Sequence, residues 1–473
     1  MKEYDLKKIR NLLFMGSSGA GKTTLAEQIF YLTHTTTRLG KIDEGNTVMD
    51  FDAEEISKRM SLNLSLGFLN HKDHKINIID TPGNPEFIGE VIAAIPAVEN
   101  AVVVANATGG FEVGMELAVE QLDHKKVGKV IVVNRMDNEH ADFFKTLESI
   151  RENSDLNPTP IHIPIGKEGA FEGVVDIIRQ KALRPSGESD IPAEMQSAVE
   201  EARMNLMEAV AETDEELLNA FLENMELNDT QLMGGLKKAV ANGDICPAFV
   251  CSAHTGVGVL AFLDAVTQYL PSPEDANPLQ VLEDNNPKEM VVKADGELLG
   301  YVFKLYADPN MGDYAYLRIF SGTLKAGMEF YIPEKEAKDK AGNMYYMLGK
   351  TRNDTQEIRA GEIGALVKLK YAKALNSVTA VGSKLSLPLP ELPTPTYWQM
   401  IRAAQQSDED KIGQSLQRVI AEDPTIRYEL NPETHENVIS GMGEQQLQLV
   451  LKKLKNRYKV DAIMKDPRIP YKE

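Results

Sequence analysis

Four short stretches of this sequence combine the residue types that handle phosphate, metal and a purine base. The first is GSSGAGKT at 16–23, which follows the apolar run NLLFM and opens a helix-like TTLAEQIF. Glycines at 16, 19 and 21 let the backbone turn tightly, so that successive N–H groups face phosphate oxygens. The helix N-terminus behind them adds partial positive charge. This is a P-loop in its required strand-to-helix context, and it nominates Gly16, Ser17, Ser18, Gly19, Ala20, Gly21, Lys22, Thr23 and Thr24 as phosphate-binding residues. Lys22 reaches the β- and γ-phosphates, and the Thr23 hydroxyl is suited to Mg²⁺. The second stretch is DTPG at 80–83, closing the run INIID. There Asp80 can hold the metal through water and the Gly83 N–H can sense the γ-phosphate, with Thr81 and Pro82 between them. The third, NRMD (Asn134, Arg135, Met136, Asp137), ends KVIVVN, and the fourth, SAH (Ser252, Ala253, His254), ends PAFVC. Guanine presents an N1–H and a 2-amino group, and one carboxylate, Asp137, can accept from both, which adenine cannot match. The expected ligand is GTP or GDP with Mg²⁺.

The elements that must position these residues are readable from pattern. Short apolar runs at 11–16, 76–80, 101–106 and 129–134 alternate with helical stretches, the signature of buried parallel strands. Between about 165 and 245 the pattern turns to charged amphipathic helix, an insertion, before PAFVCSA reads as strand again. A helix through AFLDAVTQYL stops at Pro271 and Pro273, which cannot continue it. The first domain is therefore expected over 1–280. Shorter strands parted by Gly-containing turns over 288–387 predict an antiparallel β-barrel. PLPELPTPT at 388–396 holds four prolines in nine residues and reads as a stiff linker. The stretch 397–473 reads strand, helix, two strands, helix, strand, a ferredoxin-like βαββαβ order. The fold class is multidomain α/β. The chain ends at PRIPYKE without a polar tail, which leaves open a stop there or a continuation.

With 473 residues, 42% apolar and 26% charged, the chain is of ordinary soluble composition, which excludes disordered, collagenous and membrane-spanning classes. A net charge of −20 excludes general attraction to DNA or anionic lipid, so nucleic-acid contact would have to be local. Cys246 and Cys251 are too few for a secreted disulfide framework and read as buried thiols, and LLFM is too short for a signal peptide, so the cytosol is expected. His71 and His74 in NHKDHK lack further ligands at metal spacing and read as a solvated hairpin turn. KKLKNRYK at 452–459 is either a solvated helix face or an RNA contact.

Taken in order, the motifs resemble those of the translational GTPases, elongation factor G most closely. The resemblance extends beyond the nucleotide loops: IPIGKEGAFEGVVDIIRQKA is similar to the start of that family's G-domain insert, GVLAFLDAVTQYLPSP to the end of its G domain, and AEDPT with ISGMGEQQLQLVLKKL to its third domain. It implies a G domain, barrel domain II and domain III, with the family's fourth and fifth domains outside this sequence. It further implies a monomer that binds the ribosome, with the sarcin–ricin loop RNA and stalk proteins as partners, and drives translocation of tRNA and mRNA.

Several positions depart from the family pattern. The family's DTPGH becomes DTPGN, so Asn84 stands where a histidine normally positions the attacking water. An amide can hydrogen-bond water but cannot carry a proton near neutral pH. Loss of that help costs a factor of about 10² to 10⁴ in rate. Asn84 and Gly83 are thus the candidate catalytic positions, with hydrolysis expected to be slow or absent unless Asn84 or another side chain orients the water. Gly19 replaces the aspartate that the family commonly carries beside a monovalent cation. RGIT becomes RMSL, which makes Ser61 the expected hydroxyl ligand for Mg²⁺ with Thr23 and Asp80. NKMD becomes NRMD, and Arg135 can stack on the base as lysine does. Two other readings remain: a ribosomal-protection or release-type factor, and a non-hydrolysing regulatory G protein acting off the ribosome.

Overall fold

The computed structural model describes residues 3–123, 125–308 and 312–468. The chain divides into two compact units, the first made of Met1–Gly83, Val98–Leu279 and Met347–Asn353, the second of Asn84–Ala97, Gln280–Tyr346 and Asp354–Glu473.

The first unit is built on strands whose residues are apolar without alternation, as burial on both faces requires. In chain order the elements are β1 (Ile9–Met15), α1 (Lys22–Leu32), α2 (Ala53–Lys58), β2 (Ser65–His71), β3 (His74–Asp80), α3 (Ile88–Ala94, counted with the second unit), β4 (Asn100–Asn106), α4 (Val113–Glu120), β5 (Gly128–Asn134) and α5 (Phe143–Asn153). After β6 (Pro158–Pro160) comes the insertion, with β7 (His162–Ile165), β8 (Gly173–Asp176), β9 (Lys181–Arg184), β10 (Gly187–Ser189), α6 (Gln196–Ala211), α7 (Glu215–Asn224) and α8 (Asp229–Asn242). The chain returns to the main sheet at β11 (Cys246–Val250) and leaves through α9 (Val259–Tyr269). The seven-stranded sheet runs β2-β3-β1-β4-β5-β11-β6. It is parallel except for β2, which forms a hairpin with β3. The turn of that hairpin is Lys72–Asp73, both with positive φ (43° and 64°), and His71 pairs with His74 across it. This is the hairpin expected of NHKDHK.

Strand order reverses on either side of β1, so the crevice at its carboxyl end is the topological switch point where open α/β sheets bind ligands. Register levels the carboxyl ends: Phe14 pairs with Asp80, Met15 with Val103, Asn106 with Asn134, and Val250 with Val133. The insertion is α+β, a four-stranded sheet β10-β9-β8-β7 with α6–α8. Helix α8 carries a capping box from Asn228 to Gln231 and ends on Gly243 in the left-handed conformation. Cys246 and Cys251 are buried and free, and burial pushes the Cys246 thiol up to about 12.

In the second unit, an eight-stranded antiparallel sheet is centred on the ladder between Leu299–Asp308 and Gly312–Ser321. Beyond 388–396, which carry neither helix nor strand, the order is strand Tyr397–Ala403, α10 (Glu409–Glu422), strands Arg427–Leu430 and Asn437–Gly441, α11 (Glu444–Tyr458) and strand Ala462–Lys465. These form a four-stranded sheet backed by Leu416 and Val419 of α10 and Leu447 and Leu454 of α11. Among the described residues no helix is long and apolar enough to cross a membrane.

Candidate nucleotide-binding site

The loops after β1, β3, β5 and β11 meet at the carboxyl edge of the sheet, each held by side chains that the motifs themselves supply. In the first loop Gly16, Gly19 and Gly21 have φ of 127°, 79° and 93°. At Gly21, the N-cap of α1, a β-carbon would collide with the Asn134 amide. Asn134 donates through Nδ2 to Ala20 O (2.9 Å) and accepts at Oδ1 from Ala253 N–H (2.8 Å), so one side chain ties the P-loop to the SAH loop. Ser252 donates to Asp137 Oδ1 (2.6 Å) and accepts from Thr255 N–H (3.1 Å), which fixes the carboxylate expected to read guanine. Arg135 adopts the left-handed conformation (φ 67°), His254 is exposed and Met136 is buried beneath the loop. The Thr81 hydroxyl donates to Phe14 O (2.7 Å), holding the β1 and β3 ends together rather than facing the crevice.

At the phosphate end, Lys22 is buried and its ammonium donates to Gly16 O and Ser17 O, both at 2.9 Å. Thr23 donates to Asp80 Oδ2 at 2.6 Å and lies 3.1 Å from Ser61 Oγ, so the three expected metal-binding residues come together. Gly83 lies on the P-loop, where a β-carbon would stand 2.5 Å from Ser18 N. Thr24 and Pro82 complete these two loops.

Three buried oxygens here have no hydrogen-bond partner among the described residues: Ser17 Oγ, Asp50 Oδ2 and Asp80 Oδ1. Orphaned buried oxygens are costly, and a hydrated divalent cation with its phosphates would satisfy them, so the donor set fits Mg²⁺ and a nucleotide. Electrostatics agree. Burial drops the Lys22 ammonium to about 8 against the pull of Asp80 and Asp50. Burial, with Asp50 adding to it, pushes the Asp80 carboxyl up to about 7. Added cation and phosphate charge would favour the ionised form of each. Among the described residues no group of three or more His, Cys, Asp or Glu is arranged to hold a metal by itself.

The motif reading missed Asp50, Glu27 and Glu55. Burial raises the Asp50 carboxyl, while the Ser61 hydroxyl and the Lys22 ammonium nearby pull it back down. Glu55 accepts from the Leu62 and Asn63 N–H groups, both at 3.0 Å. The local signal for Glu55 was DAEE, whose Asp52 and Glu55 form a capping box on α2. For Asp50 no local signal existed, because its neighbours are brought in from other elements.

Asn84 opens the segment Asn84–Ala97, which belongs to the second unit. Its Oδ1 accepts from Glu86 N–H at 3.0 Å, so the side chain is an N-cap for the turn Pro85–Phe87 that leads into α3. Glu86 in turn accepts from Gln446 N–H (3.1 Å) in the first turn of α11. Gly89 is packed so closely that a β-carbon would stand 2.5 Å from Thr425 Cγ2. Glu90 forms a buried ion pair with Lys304, whose ammonium also reaches Glu422 O at 3.4 Å. Glu422 accepts from Lys453 and Arg457, both at 2.8 Å. Burial alone would raise its carboxyl, but those cations and Lys304 hold it low. Two cations of the KKLKNRYK cluster therefore face inward, which reduces what that stretch can offer to RNA.

Comparison with known proteins covers most of the chain. Residues 7–272 match the family model for the elongation factor Tu GTP binding domain. Residues 297–381 match that for elongation factor G domain 2, and residues 392–466 that for elongation factor G domain III. A protein of known crystal structure from Thermus thermophilus is 28% identical, with a TM-score of 0.87 over 98% of this chain and 68% of that one.

Proposed function

Because the chain belongs to the translational GTPases of elongation factor G type, we propose that it is a cytoplasmic, monomeric, ribosome-associated factor that uses GTP mainly to hold a ribosome-binding conformation. It hydrolyses that GTP slowly or not at all. Three functional parts, 1–280, 288–387 and 397–473, act as G domain, domain II and domain III. Guanine is read by Asp137 with Asn134 and the SAH loop, the phosphates lie in the P-loop around Lys22, and Thr23, Ser61 and Asp80 hold Mg²⁺. When bound, that ion neutralises phosphate charge. Translocation of tRNA and mRNA, and contacts with the sarcin–ricin loop and stalk proteins, follow as the work of the whole factor.

The observation that carries the slow-hydrolysis reading is the engagement of Asn84. Its amide oxygen caps the following turn, and the group it offers to water is an amide that neither accepts a proton nor becomes positive near pH 7. Asn84 is also counted with the nucleotide-binding residues, but GTP binding need not suffer when an amide replaces the imidazole there, so binding and cleavage can separate. A deficit of about 10² to 10⁴ in rate corresponds to roughly 3 to 5 kcal/mol of barrier.

Single-turnover hydrolysis with ribosomes tests this directly. The native protein is expected to be slower than an ordinary elongation factor G by that margin, and Asn84→His to be faster than native. A native rate equal to the ordinary factor overturns the proposal. Co-sedimentation with ribosomes in a non-hydrolysable GTP analogue separates it from an off-ribosome regulator, which would remain in the supernatant.

A further inference from the structure

Glu27 has no place in any nucleotide motif, yet it is completely buried four residues after Thr23 on α1. That spacing puts the two side chains on one helix face. Glu27 Oε1 accepts two backbone N–H bonds, from Val48 at 2.7 Å and Met49 at 3.0 Å. Its Oε2 has no hydrogen-bond partner among the described residues and lies against Gly40, where a β-carbon would collide with it. The 47–50 stretch it grips is fixed further by Thr47 donating to Asp50 O (3.1 Å) and by Ser65 donating to Met49 O (2.6 Å).

Asp50, at the end of that stretch, is near enough to Ser61 for its hydroxyl to favour the ionised carboxylate, and Ser61 is the hydroxyl beside Thr23. The P-loop helix therefore holds this irregular segment at two points. One is the Thr23 and Ser61 pair, where a cation would sit. The other is Glu27, which needs no cation. A buried carboxylate is an expensive way to fill space, since desolvation alone opposes it, and an apolar side chain would pack there at lower cost. The two N–H groups it receives are what it provides.

We propose that Glu27 is a positioning residue for the triphosphate state: a brace from the P-loop helix to residues 48–49 that presets Asp50 and Ser61 before nucleotide and metal arrive. The inference rests on the guanine-nucleotide reading above. Contacts from γ-phosphate and Mg²⁺ order such segments, and loss of the γ-phosphate releases them. A preset Ser61 therefore adds affinity for GTP and little for GDP.

The test is titration of the full chain, with Mg²⁺, against GDP and against a non-hydrolysable GTP analogue, for native protein, Glu27→Ala and Glu27→Gln. For Glu27→Ala the analogue is expected to bind about 10-fold more weakly or worse, in line with loss of two buried backbone hydrogen bonds, while GDP binds within about twofold of native. Glu27→Gln keeps a carbonyl oxygen able to accept both N–H groups, so it should recover most of the analogue affinity. Hydrogen exchange of the nucleotide-free protein should show faster exchange at Val48 and Met49 in Glu27→Ala. Parallel weakening of both nucleotides, or unchanged binding of both, overturns the proposal. If native protein binds neither guanine nucleotide, the underlying reading fails first and takes this one with it.

Discussion

Two segments follow the phosphate-facing residues of this protein, and they are anchored in opposite ways. Residues 47–65 stay with the first unit, gripped by Glu27 from the P-loop helix and by their own Glu55. Residues 84–97 leave it immediately after Gly83 and count with the second unit, where Glu86 and Glu90 reach Gln446 and Lys304. Both anchors are buried or half-buried glutamates. In the first segment the carboxylates accept backbone N–H groups close to the nucleotide; in the second, one of them meets a cation buried in a β-sheet far along the sequence. The first arrangement fixes the backbone at 48–49 and 62–63. The second ties residues 84–97 to Gln446 and Lys304 within the second unit. On the proposed reading, the residues that bind nucleotide and the position expected to orient water are therefore anchored separately.

The largest test of that contrast is Lys304→Ala. Breaking a buried ion pair by removing one partner costs about 3 to 5 kcal/mol. We expect a loss of that size in denaturant unfolding of the second unit, with faster hydrogen exchange in 84–97 and none in 47–63. Lys304→Met with Glu90→Leu should recover much of the stability. Equal exchange changes in both segments would erase the distinction.

A second test uses pH on the first segment. Burial pushes Glu27 up to about 7 from its ordinary 4.5, so between those values the native protein keeps a proton that the unfolded chain has lost. The contribution of this group is then greatest below 4.5 and declines as pH rises to about 7. Glu27→Gln does not titrate. Relative to it, the native protein without nucleotide or metal should lose on the order of 3 kcal/mol across that window, read from urea midpoints at the two ends. A constant gap between the two proteins would show that Glu27 is not buried as described.

The smallest expected effect on stability is at Asn84. Removing an N-cap costs about 1 kcal/mol as Ala and only a few tenths as Gly, so Asn84→Ala should soften the start of the second segment slightly. Asn84→His is expected to raise hydrolysis, and its stability should fall by about the same 1 kcal/mol. A stability loss of several kcal/mol would mean that Asn84 holds more than its own turn.

The site was legible in proportion to how local its chemistry is. GSSGAGKT, DTPG, NRMD and SAH each pack strand end, turn and functional side chain into a few residues, and the parallel strands that level them were visible as unbroken apolar runs. The βαββαβ order of the last segment was legible for the same reason. Glu27, Asp50 and Lys304 were not, because each depends on partners that only tertiary structure supplies. Glu27 sits in a helix as one charge among apolar neighbours and reads as surface. Lys304 interrupts the strand LGYVFKLYAD, and that lone charge in a buried run was the available clue. Lys453 and Arg457 looked like part of a basic face, while their inward turn depends on Glu422, more than thirty residues earlier.

Calorimetric titration of the full chain with GTP and with ATP, both with Mg²⁺, bears most directly on the claim that the sheet edge is a guanine nucleotide site. A carboxylate held by Ser252 to accept both the N1–H and the 2-amino group should favour GTP by about 10²-fold or more, since a site built for such hydrogen bonds strongly rejects a ligand lacking them. Equal affinity for the two nucleotides, or none for GTP, would contradict it.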